Sequence, residues 1–294
     1  MQRIALLGLG NMGSAMATRW LGQGFSVAVW NRNSDKAAAF VASGARAGAT
    51  PREAASDADV VVSMLADDDA SRPVWLGAEG ALAGMRRGAI AIECSTVSPA
   101  WVRELAEHAA ATGVGFLDAP VGGGPAAVAA GTLTVFAGGD VATLDAARPV
   151  LSAIASRIEH VGETGAGATW KLINYMMAGA QLAGLAEVLM LAEKAGIAPQ
   201  RAADLIRNSV TASPAVIGKL ARMVDGRYDN PDVALRLVAK DERYGLDLAR
   251  ALGANPEILP TVSAIYERAV ADGLGDLDLA AVAATVRRRS GLTS

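Results

Sequence analysis

The stretch RIALLGLGNMG, residues 3–13, decides the fold. Arg3–Gly8 reads as a buried strand. Gly8, Gly10 and Gly13 follow in G-x-G-x-x-G spacing, with Asn11 and Met12 completing the turn, and the chain then takes a helical pattern. Each glycine has a physical task. Gly8 permits the tight turn, Gly10 lets backbone approach a pyrophosphate, and Gly13 lets the helix pack close to the strand. The helix N-terminus then offers free N–H groups and a positive dipole end to an anion. The spacing alone is a weak signal; strand before and helix after are what make it a dinucleotide site.

Working outward, the end of the second strand selects the cofactor. NAD-binding domains usually place an acid there to bond the ribose 2′-hydroxyl. This chain reads VAVWNRNSDK at 27–36, with Asn31, Arg32 and Lys36 in that region. Arg32 suits a bidentate, charge-assisted contact to a 2′-phosphate, which an acid would repel. NADP(H) is therefore the expected cofactor; the plainer reading is that Arg32 and Lys36 solvate a helix start.

The first half of the chain continues the alternation. Ser26–Asn31, Val60–Leu65, Ala89–Glu93, Gly115–Asp118, Leu133–Ala137 and Arg157–Val161 read as strands, nearly continuous apolar runs as expected where both sheet faces are buried. Thr50 with Pro51 and Glu53, and Ser98 with Pro99, read as helix starts, and Gly113 as a helix stop. After Gly167 only helical stretches remain: Lys171–Ala195, Pro199–Asn208, Ala215–Val224, Pro231–Leu252, Pro260–Ala271 and Leu277–Arg289, with Asn230 and Asp276 as expected caps. The expected fold class is α/β, a Rossmann-type doubly wound sheet over 1–163, followed by an all-α domain over 164–294 and joined to it by a long helix. That helix is apolar nearly all round, which predicts burial on every side, completed across a subunit interface.

Composition excludes several classes. Among 294 residues, 52% are hydrophobic and 19% charged, which excludes a disordered chain. The 27 Lys+Arg against 30 Asp+Glu leave a net charge of −3, so nothing draws the chain to nucleic acid or an anionic membrane. One cysteine, Cys94, forms no internal disulfide, and only His108 and His160 are histidines, so no metal site is expected. Residues 1–9 read as a first strand rather than a signal peptide, and Asn174, Gln181 and Glu187 interrupt the apolar run 172–192, so a cytoplasmic chain is expected. Cys94 reads as a core thiol, neither histidine has partners for catalysis, and Arg287–Arg289 reads as a charge cluster at a helix C-terminus.

Four motifs, GLGNMG at 8–13, CST at 94–96, DAPVGGGPAAVAAGTL at 118–133 and GAGATWKLIN at 165–174, together with LVAKDERYGLDLA at 237–249, resemble the β-hydroxyacid dehydrogenase family over essentially the whole chain. That family includes 3-hydroxyisobutyrate dehydrogenases, tartronate semialdehyde reductases and glyoxylate/succinic semialdehyde reductases. The resemblance implies a homodimer or homotetramer and makes Lys171 the catalytic acid/base. The chemistry agrees, because a carbonyl reduced by hydride leaves an alkoxide that must be protonated. Asn174 lies three residues on, on the same helix face, suited to hold the substrate hydroxyl or to orient the ammonium. Many members carry a second Asn next; here it is Tyr175. By resemblance Val121–Gly124 is the substrate loop. Gly122 stands where most members have Ser, leaving Gly122, Gly123 and Gly124 to offer backbone N–H groups to an anion and leaving room for a larger or differently charged head group. Resemblance also assigns Thr96 to the nicotinamide ribose, the plainer reading being a helix cap. It brings Lys240 over the cofactor and substrate carboxylate, with Asp241 and Tyr244 beside it. The backbone of Leu65 and Ala66 lines the adenosine side. The function implied is NADP(H)-dependent, reversible reduction of a small acidic aldehyde to a hydroxy acid. An imine reductase-like enzyme and a non-catalytic NADP-binding protein are the alternatives; Lys171, which both generally lack, argues against them.

Overall fold

The computed structural model describes residues 2–292; residues 1, 293 and 294 lie outside it. The chain divides into two compact units, Met1–Lys171 and Leu172–Ser294.

The first unit alternates strand and helix. Its elements are β1 (Arg3–Leu7), α1 (Asn11–Gly22), β2 (Ser26–Trp30), α2 (Ser34–Val41), β3 (Arg46–Ala47), α3 (Pro51–Ala55), β4 (Val60–Ser63), α4 (Asp68–Leu76), β5 (Ile90–Glu93), α5 (Pro99–Thr112), β6 (Gly115–Asp118), β7 (Val121–Gly122), α6 (Pro125–Ala130), β8 (Leu133–Gly139), α7 (Val141–Ser152) and β9 (Ala155–Gly162). The sheet runs β3-β2-β1-β4-β5-β6-β8-β7, with β9 paired to β8. From β3 to β6 every pairing is parallel; β8 is antiparallel to β6 and β7. The order 3-2-1-4-5-6 is that of a doubly wound Rossmann sheet, whose strand order reverses beside β1, where ligands bind at the carboxyl ends.

Period-two alternation along buried strands explains the layers. Ile4, Leu6, Val60, Val62, Ile90 and Ile92 enter one core, whereas Ala5, Leu7, Val61 and Ala91, their neighbours along the same strands, enter another. Both faces are thus covered, which is why the strands read as unbroken apolar runs. Trp20, Trp75 and Trp101 are fully buried, each worth about 2–3 kcal/mol of burial. The Trp20 indole N–H donates to Val150 O at 2.9 Å.

The local start and stop signals hold where they are local. Thr50 Oγ1 accepts from Glu53 N at 3.1 Å, and Glu53 Oε2 from Ala49 N at 2.8 Å. Ser98 Oγ accepts from Trp101 N at 3.1 Å, and Gly113 closes α5 with φ 74°. The short strands β3 and β7 carry too few residues to show a period.

The second unit contains most of α8 (Ala166–Lys194), then α9 (Pro199–Arg207), α10 (Pro214–Asp225), α11 (Leu235–Ala251), α12 (Leu259–Ala269) and α13 (Val282–Arg289). Three expectations need correction. Asn230 does not cap a helix: it sits in a loop at φ 49°, and α11 begins at Leu235. There Leu235 N donates to Leu277 O and Arg236 N to Gly275 O, both at 2.9 Å, so distant backbone satisfies the helix start. The acidic cap is Asp278, not Asp276. Its carboxylate accepts from Ala280 N at 3.0 Å, from Lys219 Nζ at 2.9 Å and from Asp232 N at 3.0 Å. Finally, α8 is not buried on every side within the single chain. Although it is long and apolar enough to cross a membrane by length and composition, Ile173, Met177, Val188 and Leu191 lie open along it.

Candidate active site

The glycine turn joins β1 to α1 as its spacing predicts. Gly8 adopts φ 105°, and a Cβ there would stand 2.4 Å from Met64 O; a Cβ on Gly13 would stand 2.0 Å from Gly8 O. Only glycine fits either place. Gly10 is the N-cap of α1 with no side-chain cap, and a Cβ there would meet nothing within 4 Å. This tight turn with an open face above a helix N-terminus fits a dinucleotide pyrophosphate. Asn11 and Met12 form the first turn of α1.

Asn31 ties this turn to the next strand. Its Oδ1 accepts from Leu9 N at 2.9 Å and its Nδ2 donates to Asn33 O at 3.0 Å. Asn33 in turn caps α2 by accepting from Asp35 N. Arg32 and Lys36 are exposed, and neither has an ion-pair partner among the described residues. The side chains at the tip of β2 are thus divided between fixing the turn and presenting positive charge.

At the next two strand ends, Leu65 N donates to Ser95 Oγ at 2.7 Å, and Ser95 N donates to Glu93 Oε1 at 2.9 Å. Glu93 is fully buried and also accepts from Ser71 Oγ at 2.6 Å and Trp75 Nε1 at 3.0 Å. This buried network fixes the backbone on which Leu65, Ala66 and Thr96 sit; all three are half-buried. Cys94 is enclosed, and burial first, then Glu93, push its thiol well above the usual range. His108 is exposed on α5, and His160 Nε2 lies 2.8 Å from Gly139 O.

Lys171 is 3% exposed, and its Nζ donates to Val121 O at 2.6 Å, so the lysine is held against the glycine loop. A Cβ on Gly122 would lie 3.3 Å from Phe136 Cε2; the ring of Phe136 takes up the space beside Gly122 that the sequence reading left open. Gly123 has φ 118°, while nothing would meet a Cβ on Gly124.

The sequence reading missed Asp118. This fully buried acid at the end of β6 accepts from Gly165 N at 2.8 Å and Ala168 N at 2.7 Å, anchoring the first turn of the helix that carries Lys171. Burial raises its carboxyl to about 6 against the opposing pull of backbone N–H groups. An acid ending an apolar strand just ahead of a glycine run was the available signal.

In the second unit, Asn174 is half-buried on α8. Lys240 and Asp241, 6% and 5% exposed, form a buried ion pair at 3.0 Å, with Lys240 Nζ 5.2 Å from the centre of the Tyr244 ring, a cation–π distance.

Comparison with known proteins follows this division. Residues 3–162 match a family profile described as the NAD binding domain of 6-phosphogluconate dehydrogenase. Residues 165–286 match one described as NAD-binding of NADP-dependent 3-hydroxyisobutyrate dehydrogenase. A 2-(hydroxymethyl)glutarate dehydrogenase of Eubacterium barkeri is 32% identical, over 99% of this chain and 97% of its own. A NAD-dependent L-serine dehydrogenase of Pseudomonas aeruginosa is 32% identical over 96% and 97%. Among solved structures, Mycobacterium tuberculosis 3-hydroxyisobutyrate dehydrogenase with L-serine superposes with a TM-score of 0.87 at 34% identity, covering 98% of this chain and 99% of that one.

Proposed function

The chain belongs to the β-hydroxyacid dehydrogenase family, and from that premise we infer that it reduces small acidic aldehydes with NADPH, reversibly, to hydroxy acids. Membership supports a dehydrogenase or reductase activity on a nicotinamide cofactor. The observation that carries the finer reading is Lys171, a buried amine held 2.6 Å from Val121 O on the glycine loop.

When bound, the nicotinamide supplies the hydride to the carbonyl carbon or takes it back from the alcohol. Gly8, Gly10 and Gly13 admit the pyrophosphate, with Asn11 and Met12 in the same turn, and Leu65, Ala66 and Thr96 line the dinucleotide along the strand ends. Arg32, exposed and without an ion-pair partner among the described residues, meets the 2′-phosphate, while Asn31 holds the turn. Lys171 gives its proton to the developing alkoxide, so one aldehyde, one NADPH and one proton yield one alcohol and one NADP+. Asn174 holds the substrate oxygen. Gly122–Gly124 and Lys240 meet the acidic group. The open apolar residues Ile173, Met177, Val188 and Leu191 support a homodimer or homotetramer.

Glyoxylate and the succinic, methylmalonate and tartronate semialdehydes, with sulfonated aldehydes, form the test panel, each assayed by NADPH and NADH oxidation. Lys171→Ala is expected to lower kcat by about 10²–10⁴-fold while NADPH binding, followed by fluorescence, is retained; near-normal turnover ends the assignment. Arg32→Asp is expected to raise the KM for NADPH about tenfold or more relative to that for NADH, the size of a lost charge-assisted contact. An unchanged cofactor preference refutes the NADP reading.

A further inference from the structure

Helix α11 carries Lys240, Asp241 and Glu242 in succession, and all three are buried. Lys240 and Asp241 match one positive charge with one negative. Glu242 is left over. It is 1% exposed, and neither carboxyl oxygen has a hydrogen-bond partner among the described residues.

The elements packed around it explain how the chain accommodates such a group. From α8 it meets Gly179, where a Cβ would stand 2.0 Å from Glu242 Oε1, so only glycine lets the carboxyl into this position. From α12 it meets Tyr266, whose hydroxyl donates to Gly179 O at 3.1 Å. From its own helix Asp241 faces it with like charge. A carboxylate in this position would be buried without a donor beside a second negative charge, whereas a neutral acid loses far less on burial. Burial first, then Asp241, raise the Glu242 carboxyl to about 8. Burial, then Glu242, push the Tyr266 phenol upward as well.

We propose that Glu242 works as the protonated acid, keeping the buried Lys240–Asp241–Glu242 cluster uncharged overall, and that loss of its proton turns the cluster anionic and weakens its hold on an acidic substrate. The proposal rests on the reading of Lys240 as the partner of the substrate's acidic group. Glu242 itself is a positioning residue: it sets the charge around Lys240 and does not touch the reacting atoms.

The test compares wild type, Glu242→Gln, Glu242→Leu and Lys240→Met by two readouts. Thermal melting between pH 5 and 9 reads the proton. The folded state holds the Glu242 proton more tightly than the unfolded chain, so the wild type should lose melting temperature relative to both Glu242 variants as pH rises from 5 to 8, and level off above. A difference independent of pH overturns the proposal. The KM for succinic semialdehyde at saturating NADPH reads the charge coupling. It should rise about tenfold between pH 7 and 9 in the wild type, the order expected of one uncompensated charge near a buried cation, and stay flat in Glu242→Gln. The pH profile of kcat should be the same in wild type and Glu242→Gln. A parallel rise of KM in Glu242→Gln overturns the coupling. Lys240→Met separates the premise: an unchanged KM at pH 6.5 removes Lys240 from substrate binding, while the melting readout still decides the proton. Glu242→Leu keeps the test open if the Gln variant does not fold.

Discussion

Asp118 in the first unit and Glu242 in the second are both enclosed acids whose proton affinity burial raises, and they differ in what surrounds them. Asp118 accepts two backbone N–H groups and is raised only to about 6. Glu242 accepts none from the described residues and stands near 8 beside Asp241. Donors, together with the like charge of Asp241, rather than depth set the gap. The first unit spends its buried acid on fixing backbone; the second leaves its acid as an uncompensated group that a single proton neutralises. The two differ in pH window as well. Asp118 costs stability as pH rises from 3.8 through about 6, and Glu242 as it rises from 4.5 through about 8. Between pH 6 and 8 only the second unit's acid should act.

The largest effect should come from removing the first of these acids. Asp118→Ala strips the acceptors from Gly165 N and Ala168 N, two buried donors at about 1–3 kcal/mol each, so a loss of about 3 kcal/mol is expected. The same change frees the first turn of the helix bearing Lys171, whose contact to Val121 O depends on that turn. If Lys171 acts as proposed, a small misplacement of it costs up to about 10²-fold, so kcat should fall with stability, read by denaturant unfolding and steady-state assay. A variant as stable and active as wild type would mean that the backbone of residues 165–168 holds itself.

The contrast also marks what was legible in the sequence. The glycine turn, the strands and the caps at Thr50, Ser98 and Gly113 were readable because each signal acts within a few residues. Asp118 was not, because its partners lie 47 and 50 residues away, and its role exists only once β6 meets the start of α8. That start was read five residues late, since Gly165 and Gly167 look like a linker. Gly167 is there because a Cβ would stand 2.2 Å from Phe136 O. The start of α11 was misplaced for the same reason: its first N–H groups are met by residues 275 and 277. Glu242 sits in a stretch of charged helix, where an acid reads as solvated, and nothing local reveals that Gly179 and Tyr266 close over it.

A middle-sized effect should come from the glycine that admits Glu242. Gly179→Ala places a methyl 2.0 Å from Glu242 Oε1 and 3.4 Å from Tyr266 Cε2, one clash and one ordinary contact. The clash should cost about 1–3 kcal/mol. In a Glu242→Ala background the methyl enters space vacated by the carboxyl, so the double variant should be more stable than the sum of the singles by about 1–3 kcal/mol. A double-mutant cycle by urea unfolding measures this. Strict additivity would mean that α8 and α11 move apart instead of sharing the space, and would sever the link between Gly179 and the acid.

The smallest effect belongs to the first unit's other enclosed acid, Glu93, because its donors are redundant. Ser71 Oγ donates to Glu93 Oε2 and accepts from Trp101 Nε1 at 2.9 Å. In Ser71→Ala, Glu93 keeps the Trp75 indole and Ser95 N, and only the Trp101 N–H loses its partner. The expected loss is about 1–2 kcal/mol. Because Ser95 still holds Leu65 N, the KM for NADPH should change less than about threefold, within half a kcal/mol or so. A larger shift would show that the strand ends beneath the cofactor depend on every donor to Glu93. The first unit's acids would then be as exposed to a single lost partner as Glu242 is to a single lost proton.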